Sequence, residues 1–331
     1  MQLIDAATTR RHLGFAPLIE ALRRGFARGC EVPLRATHAI GDAGTLLLMP
    51  AWRVGARLGI KTVTVFPGNG ARGLPGLHSA YLLFDASTGV PLAQLDGDEI
   101  TSRRTAAASA LAASFLARAD ARRLLIVGAG RVAALLAPAL QVVRPLAEVV
   151  VWNHRGAAAQ ALAARLCEQG FTARASADLE QAVAGADIVS CATLATAPLI
   201  RGEWLRPGMH LDLIGSFTPQ MRESDAACFA RARVFVDTAE ALAKSGDVLD
   251  AIAAGAFDAT RLQATLAQLC AGTHAGRGTG DTGARELTLF KAVGSALEDL
   301  AAAELVVDAL AGAAAPESVS CGPSQHAPPP S

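Results

Sequence analysis

An excess charge of either sign is missing from this chain: Lys+Arg and Asp+Glu each number 30, so the formal charge is +0 at pH 7. A balanced chain has no net field to draw it to nucleic acid or to an anionic membrane surface, and neither partner is expected. No apolar run reaches bilayer-spanning length, and residues 1–20 lack the apolar core of a signal peptide. Mean hydropathy is +0.32, but alanine supplies much of it. The six cysteines (Cys30, Cys167, Cys191, Cys228, Cys270, Cys321) form no C-x-x-C pair. His38, His78, His154, His210 and His274 show no H-x-x-H or H-E-x-x-H spacing, so no metal is expected. The thiols are expected to be free, in a reducing cytoplasm. No G-x-S-x-G motif points to nucleophilic catalysis.

What is present is apolar mass. Hydrophobic residues make up 51% of 331, enough for two domains and a large core. At residues 124–127, Leu-Leu-Ile-Val forms a wholly apolar run, as expected of a buried parallel strand. Gly128-Ala129-Gly130-Arg131-Val132-Ala133 follows, and then an alanine-rich segment with helical spacing. This is a dinucleotide turn of the form G-x-G-x-x-A, with Gly128, Gly130, Arg131 and Val132 as candidate cofactor contacts. Its first glycine permits the tight turn, its second lets pyrophosphate approach the backbone, and its small third residue lets helix pack on strand. The pyrophosphate would meet the unpaired N–H groups of a helix N-terminus.

Further strands are expected at 148–152, 187–192, 210–214 and 234–236, with helices between them, which predicts βαβ units and a parallel sheet. After the second of these strands, Asn153-His154-Arg155 offers an arginine where NAD sites carry an acid. Asn153 and Arg155 therefore favour NADP(H), with NAD(H) as the alternative. The first 118 residues look different, with turn-linked strands suggesting an antiparallel or mixed sheet. Thr101 is expected to cap a helix through residue 116, which would set Arg103-Arg104 at a helix start, where a cation is unfavourable unless it meets an anion. Lys61 lies on an otherwise apolar strand; spacing alone leaves open an exposed-face lysine or a functional one. Residues 287–310 should begin as a strand beyond the last Rossmann strand and become a helix from about Val293. Residues 313–331, rich in Pro, Ser and Ala, are expected to be a disordered tail.

Many short motifs then fall into one order. Lys61-Thr62-Val63-Thr64-Val65-Phe66-Pro67-Gly68-Asn69, Gly73-Leu74-Pro75, Asp85 and Thr88-Gly89 come first. Thr101-Ser102-Arg103-Arg104-Thr105-Ala106-Ala107 and Gly128-Ala129-Gly130 follow. Gly215-Ser216-Phe217-Thr218-Pro219, Thr288-Leu289-Phe290-Lys291-Ala292-Val293-Gly294 and Glu298-Asp299 complete the set. From about residue 30 to 312 the chain resembles the ornithine cyclodeaminase/μ-crystallin family. The resemblance implies an α/β protein: a Rossmann domain (121–287) and a mixed α+β substrate-binding and dimerisation domain (1–120, completed by 288–312). It implies a homodimer with the active site in the cleft. It places Arg35, Lys61 and Arg104 on substrate positions, and Thr193, Gly215, Ser216 and Val293 at the nicotinamide end.

Two positions depart from true cyclodeaminases. Leu47 stands where they carry a glutamate before the Met-Pro matching Met49-Pro50, and Phe217 stands where they carry an aspartate. A substrate ammonium in a desolvated site needs a carboxylate partner. The expected activity is therefore NAD(P)H-dependent reduction of a small carboxylate-bearing cyclic imine of the pyrroline-2-carboxylate type, or of a 2-oxo acid plus an amine. Ornithine cyclodeamination and non-catalytic NADPH binding are the alternatives. Glu223 is expected to cap the helix that follows it.

Overall fold

The computed structural model describes residues 1–314, so the expected tail falls, from residue 315 onward, outside the described residues. The chain opens with β1 (Gln2–Ile4), α1 (Ala6–His12) and α2 (Phe15–Arg28). Five strands follow, β2 (Ala36–Ile40), β3 (Gly44–Trp52), β4 (Arg57–Val65), β5 (Leu77–Asp85) and β6 (Pro91–Asp96), and then α3 (Gly97–Leu116). The six strands form one sheet ordered β1-β6-β5-β4-β3-β2, antiparallel except where β1 joins β6. In β3 and β4 one face is buried through Met49 and Ala51 and through Gly59, Lys61 and Val63, the alternation of a half-buried strand.

The second unit contains β7 (Arg123–Val127), α4 (Ala133–Gln141), β8 (Glu148–Trp152), α5 (Gly156–Glu168), β9 (Ala173–Ala175) and α6 (Leu179–Gly185). It continues through β10 (Ile188–Cys191), β11 (His210–Leu213), α7 (Ala226–Arg231), β12 (Arg233–Val236), α8 (Ala241–Lys244) and α9 (Gly246–Ala253). β13 (Ala264–Thr265), α10 (Leu266–Cys270), α11 (Gly280–Arg285) and β14 (Thr288–Lys291) close it, and α12 (Ala296–Ala314) ends the described chain. Its eight strands are all parallel, in the order β13-β12-β14-β11-β10-β7-β8-β9. The order reverses between β7 and β10, the crevice where doubly wound sheets bind ligands. Leu124 and Ile126 of β7 face one core and Leu125 and Val127 another, which is why that strand is apolar without alternation.

Three expectations are corrected here. The long helix does not start at Thr101. Asp96 caps it by accepting from Glu99 N at 2.8 Å, and Asp98 and Glu99 suit its first turn. Arg104 therefore lies inside the helix, and the argument from a cation at a helix start falls. β14 is not beyond the Rossmann sheet but inside it, between β12 and β11, so that sheet extends past residue 287. The final helix begins at Ala296, after a turn, and packs on α2, α3, β3 and β4.

α3 joins the two units. Residues 106–108 and 110–113 are all Ala or Leu and are 0–2% exposed, because small side chains let both sheets approach the helix closely. One apolar core runs from Leu18 and Tyr81 through α3 to Ile126 and Phe290.

Candidate active site

The glycine turn sits at the sheet's reversal point. Gly128 has φ +121°, a conformation that favours glycine, and a Cβ there would stand 2.5 Å from Ala192 O. Its N–H donates to Trp152 O at 2.9 Å, which ties the turn to the end of β8. Around Gly130 no atom of the described residues, other than its chain neighbours, lies within 4 Å of a built Cβ, so the turn presents open backbone before α4. Buried Ala133 lets the helix close on the strand. These residues fit a dinucleotide pyrophosphate. Val132 is half-buried at the N-terminus of α4. Exposed Arg131 forms an ion pair with Asp98 of α3 at 3.0 Å, and Ser79 Oγ donates to Asp98 at 2.7 Å. The turn is thus tethered to the first unit. At the far end of β8, Asn153 Oδ1 accepts from Arg155 N at 2.9 Å, leaving the Arg155 side chain exposed where α5 begins.

Thr193 and Gly215 follow the ends of β10 and β11 and are held by one side chain that sequence reasoning assigned elsewhere. Glu223 does not cap the following helix; Asp225 does, accepting from Cys228 N at 3.2 Å. Glu223 is buried and accepts from Thr193 N at 2.7 Å, Thr193 Oγ1 at 2.8 Å and Gly215 N at 2.6 Å. Ser216 is brought to this place, but its hydroxyl points inward: it donates to Met221 O at 2.5 Å and accepts from Asp247 N at 3.1 Å. Phe217 beside it is 38% exposed. Leu47 is half-buried on β3, paired with Val63, on the same face as Met49.

The substrate candidates converge. Lys61 is 1% exposed and its Nζ lies 2.7 Å from Asp299 Oδ2. Arg104 Nε donates to Asp299 Oδ1 at 2.9 Å and its Nη1 to Glu298 Oε2 at 2.6 Å. Burial pushes the Lys61 ammonium down to about 8, with Asp299 opposing. Burial would raise the Asp299 carboxyl, but Lys61 and Arg104 hold it below the usual range. Burial pushes Glu298 up to about 7 against the pull of Arg104. Arg35 Nη2 donates to Gly294 O at 2.9 Å, its Nε is buried without a partner among the described residues, and Glu240 lies 3.8 Å away. Gly294 also packs on the Arg104 guanidinium, where a Cβ would stand 2.7 Å from Nη1. Buried Val293 and Gly294 both donate backbone N–H groups to Asp237 Oδ2 at 2.7 Å. Glu298, Asp299 and Asp237 were missed as partners. The available signal was Lys61 itself, since a lysine in an apolar strand demands a carboxylate.

A doubly wound sheet that carries a glycine turn, together with a buried lysine, arginine and carboxylate cluster, defines the class: a dinucleotide-dependent oxidoreductase. The family model described as ornithine cyclodeaminase/mu-crystallin matches residues 6–314, and the chain belongs to that family. It is 41% identical over 313 residues to a Delta(1)-pyrroline-2-carboxylate reductase of Paracoccus denitrificans, covering 94% of this chain and 98% of that one. To the ketimine reductase mu-crystallin of Rattus norvegicus it is 34% identical over 299 residues, covering 88% and 90%. It superposes with a TM-score of 0.89 on the Thermococcus litoralis Delta(1)-pyrroline-2-carboxylate reductase solved with NADH and L-proline. That pair shares 32% identity over 95% of this chain and 98% of the other.

If the open space at Gly130 is cofactor space, filling it should leave the fold intact and remove the ligand. Gly130→Ala is expected to melt within about 2 °C of wild type, because its Cβ meets nothing beyond its chain neighbours. It should weaken NADH binding about tenfold or more, measured by fluorescence titration. Unchanged NADH affinity would show that the turn does not face the cofactor.

Proposed function

We propose that the protein reduces a small cyclic imino acid of the pyrroline-2-carboxylate type with a nicotinamide cofactor. The observation that carries this reading is the buried Lys61–Asp299–Arg104 cluster, with Arg35 beside it at the Val293–Gly294 turn. The relatives named as reductases of such imines support it. A 2-oxo acid plus an amine would reach the same carbon–nitrogen double bond.

The reduced nicotinamide, when bound, supplies hydride to the imine carbon. The chain's own residues orient the substrate and supply the proton. Arg35, whose Nε has no partner among the described residues, takes the substrate carboxylate. Arg104 contributes less than a free fork would, because its Nε and Nη1 are already committed to Asp299 and Glu298. Lys61 Nζ, anchored by Asp299, gives a proton to the ring nitrogen and leaves it as an amine. Leu47 and Phe217 offer no carboxylate at the two positions where the family's cyclodeaminases carry one, which disfavours ornithine cyclodeamination. Glu223 cannot take that role, since its oxygens already accept three donors. NADP(H) over NAD(H) is part of the proposal through exposed Arg155, as are a cytoplasmic location and a homodimer. The fully exposed strand β2, with Leu34 and Ile40 also exposed, supports an interface on that side.

The decisive assay follows NADPH and NADH loss with Δ1-pyrroline-2-carboxylate, paired with a search for proline formed from ornithine. Reduction of the imine with no proline from ornithine is expected; efficient cyclodeamination would overturn the assignment. The Lys61 ammonium is present below its value near 8 and lost above it, so kcat/KM for reduction should fall as pH rises through about 8. Asp299→Asn removes the charge that holds the proton on Lys61, and should move that limb to lower pH. Arg155→Ala should raise the KM for NADPH and leave that for NADH little changed; equal effects on both would remove Arg155 as the phosphate reader.

A further inference from the structure

Lys291 is one of three lysines in the chain, and the reduction described above has no use for it. It ends β14, is 0% exposed, and its Nζ lies 3.6 Å from Oδ2 of Asp247, which is equally buried. Besides Asp247, in the first turn of α9, three other buried carboxylates feel its charge: Asp212 on β11, Glu223 in the loop after it and Asp237 after β12. Cys191 on β10 faces Glu223, Asp212 and Asp247, and burial together with those anions keeps its thiol protonated.

One ammonium cannot balance four anions out of water, so the hydrogen-bond donors decide which groups stay charged. Asp212 is met by two hydroxyls, Ser109 Oγ at 3.2 Å and Ser190 Oγ at 2.5 Å. Hydroxyls can rotate and accept, so Asp212 tolerates a proton. Asp237 is served by three backbone N–H groups, from Thr238, Val293 and Gly294. Asp247 Oδ1 accepts from Glu223 N at 2.8 Å and Ser224 N at 2.9 Å. Glu223 accepts on both oxygens, from Thr193 and Gly215. Backbone N–H donors cannot reverse, and because Glu223 accepts on both of its oxygens, only its carboxylate form makes all of these bonds at full strength.

We propose that Lys291 is a positioning residue for the cofactor site: its buried ammonium, next to the Asp247 side chain that accepts from Glu223 N, favours the carboxylate form of Glu223, and Glu223 thereby clamps the Thr193 and Gly215 turns together. The tightness of that clamp shows at Gly215, where a Cβ would collide with Thr193 O and Glu223 Oε1. The proposal rests on reading these turns as the nicotinamide end of the site. Its consequence is an acid-sensitive cofactor affinity. Burial pushes Glu223 up to about 7, with Lys291 opposing and Asp247 reinforcing the rise. Once protonated, Glu223 has an O–H in place of one acceptor and cannot hold both turns.

The test is a fluorescence titration of the full chain with NADH from pH 6 to 8.5, for wild type, Glu223→Gln and Lys291→Met. Wild-type affinity should fall about tenfold on acidification through pH 7, following the one-proton linkage. Glu223→Gln, uncharged and donating from one arm, should bind about tenfold more weakly at pH 8 and show no pH dependence over this range. Lys291→Met should move the midpoint to higher pH by about one unit or more, a shift that loss of packing alone would not produce. Should Lys291→Met fail to fold, Glu223→Gln decides. In turnover, the rise in KM for NADH should exceed the fall in kcat. Wild-type affinity flat with pH, or a Glu223→Gln variant that binds and titrates like wild type, overturns the proposal. Failure to bind NADH or NADPH at any pH overturns it together with the cofactor reading. Acid-sensitive NADH binding without imine reduction would leave this proposal standing and overturn only the substrate.

Discussion

Asp299 receives two cations from two different elements, Lys61 from β4 and Arg104 from α3, and itself belongs to α12. All three side chains are almost wholly removed from water. Desolvating an ion is expensive, and removing one member of such a buried cluster costs about 3–5 kcal/mol, because the others are left uncompensated. The cluster therefore constrains more than chemistry. α12 must return from the Rossmann unit to the first unit, and α3 must present Arg104 at the height of Lys61. The alanine-rich flank of α3 permits this by letting the helix lie between both sheets. The same desolvation that makes the cluster costly brings the Lys61 ammonium down toward neutrality, where proton transfer is fast.

Around that cluster, carboxylates bind backbone N–H groups at strand ends. Asp237 closes the Val293–Gly294 turn and Glu223 closes the Thr193 and Gly215 turns. Main-chain donors have fixed direction, so a carboxylate that accepts from two of them fixes the relative position of two loops. The Gly294 carbonyl then receives Arg35, while its lack of a side chain makes room for Arg104. A single turn thus sets the spacing of both arginines. At the glycine turn Gly128 does comparable work, since its backbone meets Ala192 at a distance no side chain would allow.

Local signals carried much of this. The apolar run at 124–127, the glycines after it and the alternation of Met49, Ala51, Gly59 and Val63 follow from periods of two and from conformations favouring glycine, properties of a few neighbouring residues. The helix start at Asp96 was also local, but the cap was expected at Thr101. Asp96 takes that place by accepting from Glu99 N, with Asp98 and Glu99 in the first turn. The place of β14 was not legible, because the residue string of a central strand is the same whichever two neighbours it inserts between. Arg104 was read against a helix dipole, whereas its partners come from 194 and 195 residues away.

By itself, then, the sequence determined the doubly wound unit, its glycine turn, the family and the candidate cations, since each depends on residue type and spacing within a short window. Only the tertiary structure decided which carboxylate meets which cation. Asp299, Glu298, Glu223 and Asp247 are ordinary acids along the chain. They become site groups because packing buries them beside particular donors, and an ion removed from water must satisfy its bonds with whatever the fold has placed within reach.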